Sequence, residues 1–260
     1  MKTLIGMIHL EALPGTTKAK WSVAEIVRRA VVEAKIYREA GLSAVLIENM
    51  HDTPYLAREV GPEIVAAMTV AAQAVREEFP GKIGLQILAG ANEAALAVAH
   101  ACGLQFIRAE AFTFGHVADE GWMDACAGPL LRYRRAIGAD AVEVWTDIKK
   151  KHASHAITAD VSLGETASAA EYMGASAVIV TGRVTGVAPD AGDFSDLRSH
   201  TSLPVIIGSG VTANNLAAFW PLADAFIVGS SLKTNGHWKG SLEPDAVEKL
   251  ANIVASLTVS

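Results

Sequence analysis

The sequence predicts an α/β protein of the (β/α)8 TIM-barrel class, one domain spanning residues 1–260, and three observations carry the prediction. Strand-like and helix-like segments alternate in eight successive units. The 260-residue length suits a barrel of about 250 residues. Two late apolar runs end alike: Pro204-Val205-Ile206-Ile207-Gly208-Ser209-Gly210-Val211, then Ala225-Phe226-Ile227-Val228-Gly229-Ser230-Ser231-Leu232. Short apolar runs closed by glycine are the pattern of parallel strands buried on both faces. An open doubly wound sheet is the alternative, but it rarely needs eight units.

Taken in order, residues 4–9 make the first strand, and Leu13-Pro14-Gly15 opens a loop. Ser22 caps a helix over 23–40 with Glu25 in capping-box position, and Gly41 ends it. Strand two covers 44–48, followed by the polar loop Asn49-Met50-His51-Asp52 and a helix over 63–79. Strand three is 83–88 with a helix over 91–102; strand four is 106–109. A long loop rich in glycine and aromatic residues, with Phe112, Phe114 and Trp122, then leads to a helix over 128–137. Strand five is 141–146, with a further loop before a helix over 165–173; strand six is 177–181, with a short helix over 193–199. The two glycine-ended runs supply strands seven and eight, separated by a helix over 213–220, and a helix over 244–256 closes the chain.

Composition narrows the function classes. Half of the residues are hydrophobic (51%), enough for one large core, and the formal charge is −6. Apart from Lys149-Lys150-Lys151 the basic residues are scattered, which argues against nucleic acid or an anionic membrane surface as partner. The two cysteines, Cys102 and Cys126, show no metal or redox spacing and are expected to be reduced and structural, in a cytoplasmic protein. The apolar stretch 4–10 is too short for a signal peptide or a membrane span, so no transmembrane segment is expected.

In a barrel of this class, active-site residues project from the C-terminal strand ends. That rule selects His9 and Glu11, Glu48 and Asn49, Gln86, Arg108 and Glu110, Asp147 and Lys149, Thr181 and Ser209. Asp147 and Lys149 lie two apart, so they share a face if strand five extends that far, and a carboxylate beside an ammonium suits proton transfer. Arg108 and Glu110 have the same spacing; for each such pair the alternative is an ion pair at the barrel rim. His152 follows as a candidate acid or base. Glu48, Glu110 and Asp147 are also possible Mg²⁺ ligands, since that ion takes carboxylate and phosphate oxygens, although nothing in their spacing demands a cofactor. Gly208-Ser209-Gly210 and Gly229-Ser230, at the ends of consecutive late strands, form the more specific signal. Glycines admit close backbone approach, and free N–H groups with small hydroxyls suit a phosphate. A phosphorylated small molecule is therefore the expected partner.

Several motifs also resemble those of a known family. Gly6-Met7-Ile8-His9-Leu10 with Leu13-Pro14-Gly15 is similar to the N-terminal signature of the BtpA family, also called BtpA/SgcQ. Asp147-Ile148-Lys149-Lys150-Lys151-His152 is the most specific match, and Thr158-Ala159-Asp160, Ile179-Val180-Thr181-Gly182, Gly208-Ser209-Gly210-Val211-Thr212 and Val228-Gly229-Ser230-Ser231-Leu232-Lys233 follow in order. The pattern departs at Glu11 and Ala12, where the family has prolines, which bears on the first loop. The resemblance implies a ribulose-phosphate-binding barrel, adds Asp160 to the substrate pocket, and links the chain to a namesake associated with photosystem I biogenesis. The Asp-x-Lys pair is similar to that of orotidine-phosphate decarboxylase, but the later acidic residue is missing and His152 lies in its region, which disfavours that activity.

The leading reading is an enzyme acting on a phosphorylated sugar or nucleoside-like metabolite by isomerisation, carbon–carbon cleavage or glycosidic cleavage. Asp147 and Lys149 would move protons, and the glycine–serine turns would hold the phosphate. The alternatives are a non-enzymatic assembly or regulatory factor related to photosystem I biogenesis, and a sugar-phosphate sensor. By analogy with other barrels, a homo-oligomer is expected.

Overall fold

Eight parallel strands close on themselves in the computed structural model, which describes residues 2–182 and 192–259. In chain order the strands are β1 (Thr3–His9), β2 (Ala44–Glu48), β3 (Lys82–Gln86), β4 (Phe106–Ala109), β5 (His116–Ala118), β6 (Gly121–Met123), β7 (Glu143–Ile148), β8 (Ala153–Ser154), β9 (Ala177–Val180), β10 (Val205–Ile207) and β11 (Ala225–Val228). The barrel runs β1-β11-β10-β9-β7-β4-β3-β2, and β1 closes it by pairing with β11 on one side and β2 on the other. The expected fold class is therefore the observed one.

The helices α1 (Val23–Glu39), α2 (Pro62–Glu78), α3 (Asn92–Ala101), α4 (Ala127–Ala136), α5 (Leu163–Tyr172), α6 (Asp193–His200), α7 (Leu216–Phe219) and α8 (Pro244–Val259) follow the barrel strands in turn. Ser22 accepts from the Glu25 N–H as expected, but the Glu25 carboxylate is taken by Arg28 and Arg29. A complete capping box forms instead at α5, between Ser162 and Glu165. The helix expected over 213–220 shrinks to Leu216–Phe219.

Strand alternation sorts the apolar residues into two cores. Ile5, Met7, Leu46, Phe106, Trp145, Ile179, Ile206 and Ile227 point inward and fill the barrel. Their neighbours in sequence, such as Leu4, Ile8, Val45, Ile47 and Val178, point outward against the helices. Inside, Phe106 stacks on Trp145 with ring centroids 3.8 Å apart. Room for that pair comes from Gly84, where an added Cβ would lie 2.1 Å from the Phe106 ring.

Two departures from the expected loops matter. The long segment after β4 contains the hairpin β5–β6, which β8 extends into a three-stranded antiparallel sheet over the rim. Strand β7 also starts and ends two residues later than expected, so it includes Asp147. Cys102 and Cys126 are free thiols. Among the described residues no helix is long and apolar enough to cross a membrane.

Candidate functional site

The inward parity that builds the lower core also builds the mouth. On β1 the series Ile5, Met7 continues to His9; on β2, Ala44 and Leu46 continue to Glu48; on β3, Gly84 continues to Gln86. On β4 Phe106 continues to Arg108, and on β7 Trp145 continues to Asp147. The last inward position of each strand is thus polar where the lower ones are apolar, and these side chains floor a cavity of about 550 Å³. That volume is typical of a small-molecule site.

Arg108 and Asp147 anchor the floor. The Arg108 Nε and Nη2 donate to the two Asp147 carboxylate oxygens at 2.9 and 2.8 Å, a bidentate pair with both side chains almost fully buried. Burial opposes the Arg108 charge, but the carboxylates of Asp147, Glu48 and Glu110 together outweigh it and raise the guanidinium pKa. Beside this pair, Glu110 accepts from Gln86 at 3.2 Å and from the Lys150 ammonium at 3.1 Å. At Glu48 burial pushes the carboxyl pKa up, although Arg108 and Lys151 pull against the shift. Lys151 moves the opposite way, lowered by burial and by the Arg108 guanidinium. His9, 3.7 Å from Glu48, is held neutral by burial and by the nearby Lys233 charge, so the two form no ion pair near neutral pH.

The turns after β10 and β11 line the adjoining side of the cavity through Gly208, Ser209, Gly210, Gly229 and Ser230. A Cβ on Gly208 would meet Ile179 at 2.5 Å, so only glycine lets this peptide pack against β9. Gly210 takes the left-handed backbone, with φ +73°. A 3₁₀ turn, Ser230–Leu232, starts directly after Gly229.

Four expected site residues stand elsewhere. Lys149 does not join Asp147: its backbone enters the left-handed region at φ +44°, alternation breaks there, and its ammonium donates to the Thr158 carbonyl at 3.1 Å. Lys150 and Lys151 reach the cavity instead. Asn49 is a buried loop pin, donating to Asp52 and accepting from the Leu88 N–H. Thr181 accepts from the Lys151 N–H at 3.2 Å and so positions that lysine's backbone. Asp160 is exposed and outside the cavity wall. His152 lines the cavity at its exposed edge.

As Mg²⁺ ligands, Glu48, Glu110 and Asp147 do not fit as placed. Asp147 is spanned by a guanidinium and Glu110 by Lys150, and among the described residues no group of three His, Cys, Asp or Glu side chains is arranged to hold a metal ion. The wall also contains residues that the strand-end rule does not select: Met50, Tyr55, Leu88, Asp119, Glu120 and Trp238. All come from loops whose path depends on tertiary contacts, and the triple lysine is the only motif that pointed toward any missed cation.

Solved structures with the same architecture include phosphoribosyl anthranilate isomerase from Thermus thermophilus, 16% identical with a TM-score of 0.60 over 98% of this chain and 99% of that one. Tryptophan synthase from Mycobacterium tuberculosis matches with a TM-score of 0.62 at 16% identity, covering 97% and 92%. At such identities the likeness concerns the fold alone, a TIM barrel. By sequence, an uncharacterized protein of Caenorhabditis elegans, described as mitochondrial, is 44% identical over 98% of this chain and 93% of its own length. The photosystem I biogenesis protein BtpA of Synechocystis is 30% identical over 97% and 88%. The model of the BtpA family matches residues 1–256, and the chain belongs to that family.

Proposed function

We propose that this protein is an enzyme acting on a phosphorylated sugar or nucleoside-like metabolite, with Glu48 and Lys151 as the proton-transfer pair. One observation carries the reading: a carboxyl raised by burial and an ammonium lowered by burial share one cavity, each within the other's field. Groups displaced toward neutrality in opposite senses are suited to give and take protons near neutral pH. The phosphate would rest on the turns at Gly208–Gly210 and Gly229–Ser230, and its binding energy would hold the reacting carbon over the floor. The Arg108–Asp147 pair fixes the local field, and Lys150 on Glu110 keeps a second acid–base pair in reach. His9, neutral, offers a hydrogen bond without adding charge. These roles fit isomerisation, carbon–carbon cleavage or glycosidic cleavage, each of which needs a proton moved beside developing charge. The names of barrel relatives such as phosphoribosyl anthranilate isomerase and thiamine phosphate pyrophosphorylase are consistent with a phosphorylated ligand.

A second reading, a non-catalytic assembly factor, draws on the Synechocystis relative's description. Relatives in a nematode and in Pyrococcus, organisms without a photosystem, favour a chemistry common to the family. A thermal-shift screen of sugar phosphates and nucleotides tests the enzyme reading at its first step. A ligand at 100 times its Kd should raise Tm by on the order of 5 °C, and Ser209→Asp should abolish the rise by repelling the phosphate. If no phosphate compound shifts a well-folded sample, the proposal fails and a protein partner becomes the target.

A further inference from the structure

The cavity wall is divided around the barrel rim. Acidic and basic groups concentrate on β4 and β7 and the loops after them: Arg108, Glu110, Asp147, Lys150 and Lys151. The opposite half, formed by the loops after β2, β3 and β11, contributes Met50, Tyr55, Leu88 and Trp238. Strands β11, β1, β2 and β3 are consecutive around the ring, so these apolar and aromatic side chains reach the same side of the cavity, with the polar His9, Glu48 and Gln86 of β1, β2 and β3 lining it as well. The turns expected to hold phosphate, after β10 and β11, stand where the two halves meet.

The aromatic groups are held in place. Trp238 sits at the head of a loop closed by the Lys233–Leu242 bridge and by the Thr234 N–H to Ser241 carbonyl bond of 2.9 Å. Its carbonyl lies 3.4 Å from the His9 Nδ1, and its ring packs against His51 at 5.0 Å and His237 at 5.7 Å. The Tyr55 hydroxyl donates to the Met50 carbonyl at 2.7 Å. A large aromatic side chain pinned on a closed loop yet left half-buried at a cavity gives up burial that a core position would provide. A planar ligand stacked on the ring restores it, as bases do on aromatic side chains.

We infer that the substrate is a nucleotide-like compound carrying a planar heteroaromatic ring as well as a phosphate, the ring lying against Trp238 and the Tyr55–Met50 wall. This rests on the phosphate-binding reading above and narrows it, since a bare sugar phosphate would leave the aromatic wall uncovered. Held in this way, the bond joining ring to sugar would face the cavity that Lys151 and Glu48 share, which favours chemistry at or near that bond.

Isothermal titration with ribose 5-phosphate, adenosine 5′-monophosphate and uridine 5′-monophosphate tests it, on the wild type, Trp238→Ala and Trp238→Phe. At least one nucleotide should bind the wild type 10-fold or more tighter than ribose 5-phosphate. Trp238→Ala should remove that margin while leaving ribose 5-phosphate affinity within twofold, and Trp238→Phe should retain most of it. Equal affinity for sugar phosphate and nucleotides in the wild type overturns the ring site but leaves the phosphate site standing. Parallel loss of both ligands in Trp238→Ala, with Trp238→Phe unaltered in fold by circular dichroism, also overturns it. Binding of none of the three by the wild type overturns both readings.

Discussion

Arg108 and Asp147 show how a charged pair survives in a barrel. Each carboxylate oxygen receives one guanidinium N–H, so neither ion is left unsolvated, and removing one partner strands the other. Asp147→Asn should therefore cost about 3–5 kcal/mol, read as a lowered urea midpoint; an unchanged midpoint would show the pair to be energetically neutral. The lysines make a sharper contrast, because three neighbours of one type have three different fates. Lys151→Met should lower turnover of a ligand found in the thermal screen by about 10²-fold or more, whereas Lys149→Met should leave it within a few-fold. Equal losses in both variants would sink the assignment of Lys151. Glu48 adds a pH signature: its raised pKa means that the folded state keeps a proton the unfolded chain has released. Its contribution to stability is present below the ordinary glutamate pKa and is lost as pH rises through the raised one. Glu48→Gln should flatten that part of the stability profile.

At the scale of elements, the β5–β6 hairpin carries the acidic tip Asp119-Glu120 to the cavity and buries His116 beneath itself. Burial, with His155 and Lys150 nearby, pushes the His116 pKa down to about 4. Unfolded histidine titrates near 6.5, so stability is full above that pH and falls toward pH 4 as the unfolded chain takes up a proton the folded one refuses. After allowing for solvent screening, the effect is on the order of 2 kcal/mol. Denaturant midpoints at pH 7 and pH 4.5 should converge in His116→Asn relative to the wild type; an identical acid dependence would rule His116 out as its source. This hairpin was not legible as strand. Its strands are three residues long, too short for a period of two to register, and its third partner, Ser154, pairs with Val117 from far along the chain.

For the molecule as a whole, closure of the ring puts all eight strands around one inner core, so packing at its centre bears on every strand. Phe106 and Trp145 fill that centre against Gly84. Phe106→Ala should cost about 3–5 kcal/mol by opening a cavity, with loss of near-ultraviolet dichroism from Trp145. Gly84→Ala should cost about 1–3 kcal/mol by overpacking. Calorimetric scans of both variants should still show one cooperative transition; a second transition would mean that part of the ring unfolds independently.

The barrel and most of its floor were legible in the order of residues alone. Alternating apolar residues in Ile5-Gly6-Met7-Ile8-His9 and Ala44-Val45-Leu46-Ile47-Glu48 set which side chains face inward, and that parity persists to the strand ends where His9, Glu48, Gln86, Arg108 and Asp147 stand. Tertiary structure alone decided where the parity stops. Lys149 leaves the mouth through a left-handed backbone that no local rule assigns to a lysine, and Lys151 takes the position that spacing had given it. Likewise Trp238 and Tyr55 become cavity wall because loops from β11 and β2, far apart in sequence but both flanking β1 in the ring, fold over one opening. Strand periodicity is a local property that the chain carries with it, whereas a loop's path is set by the contacts it makes once the ring has closed.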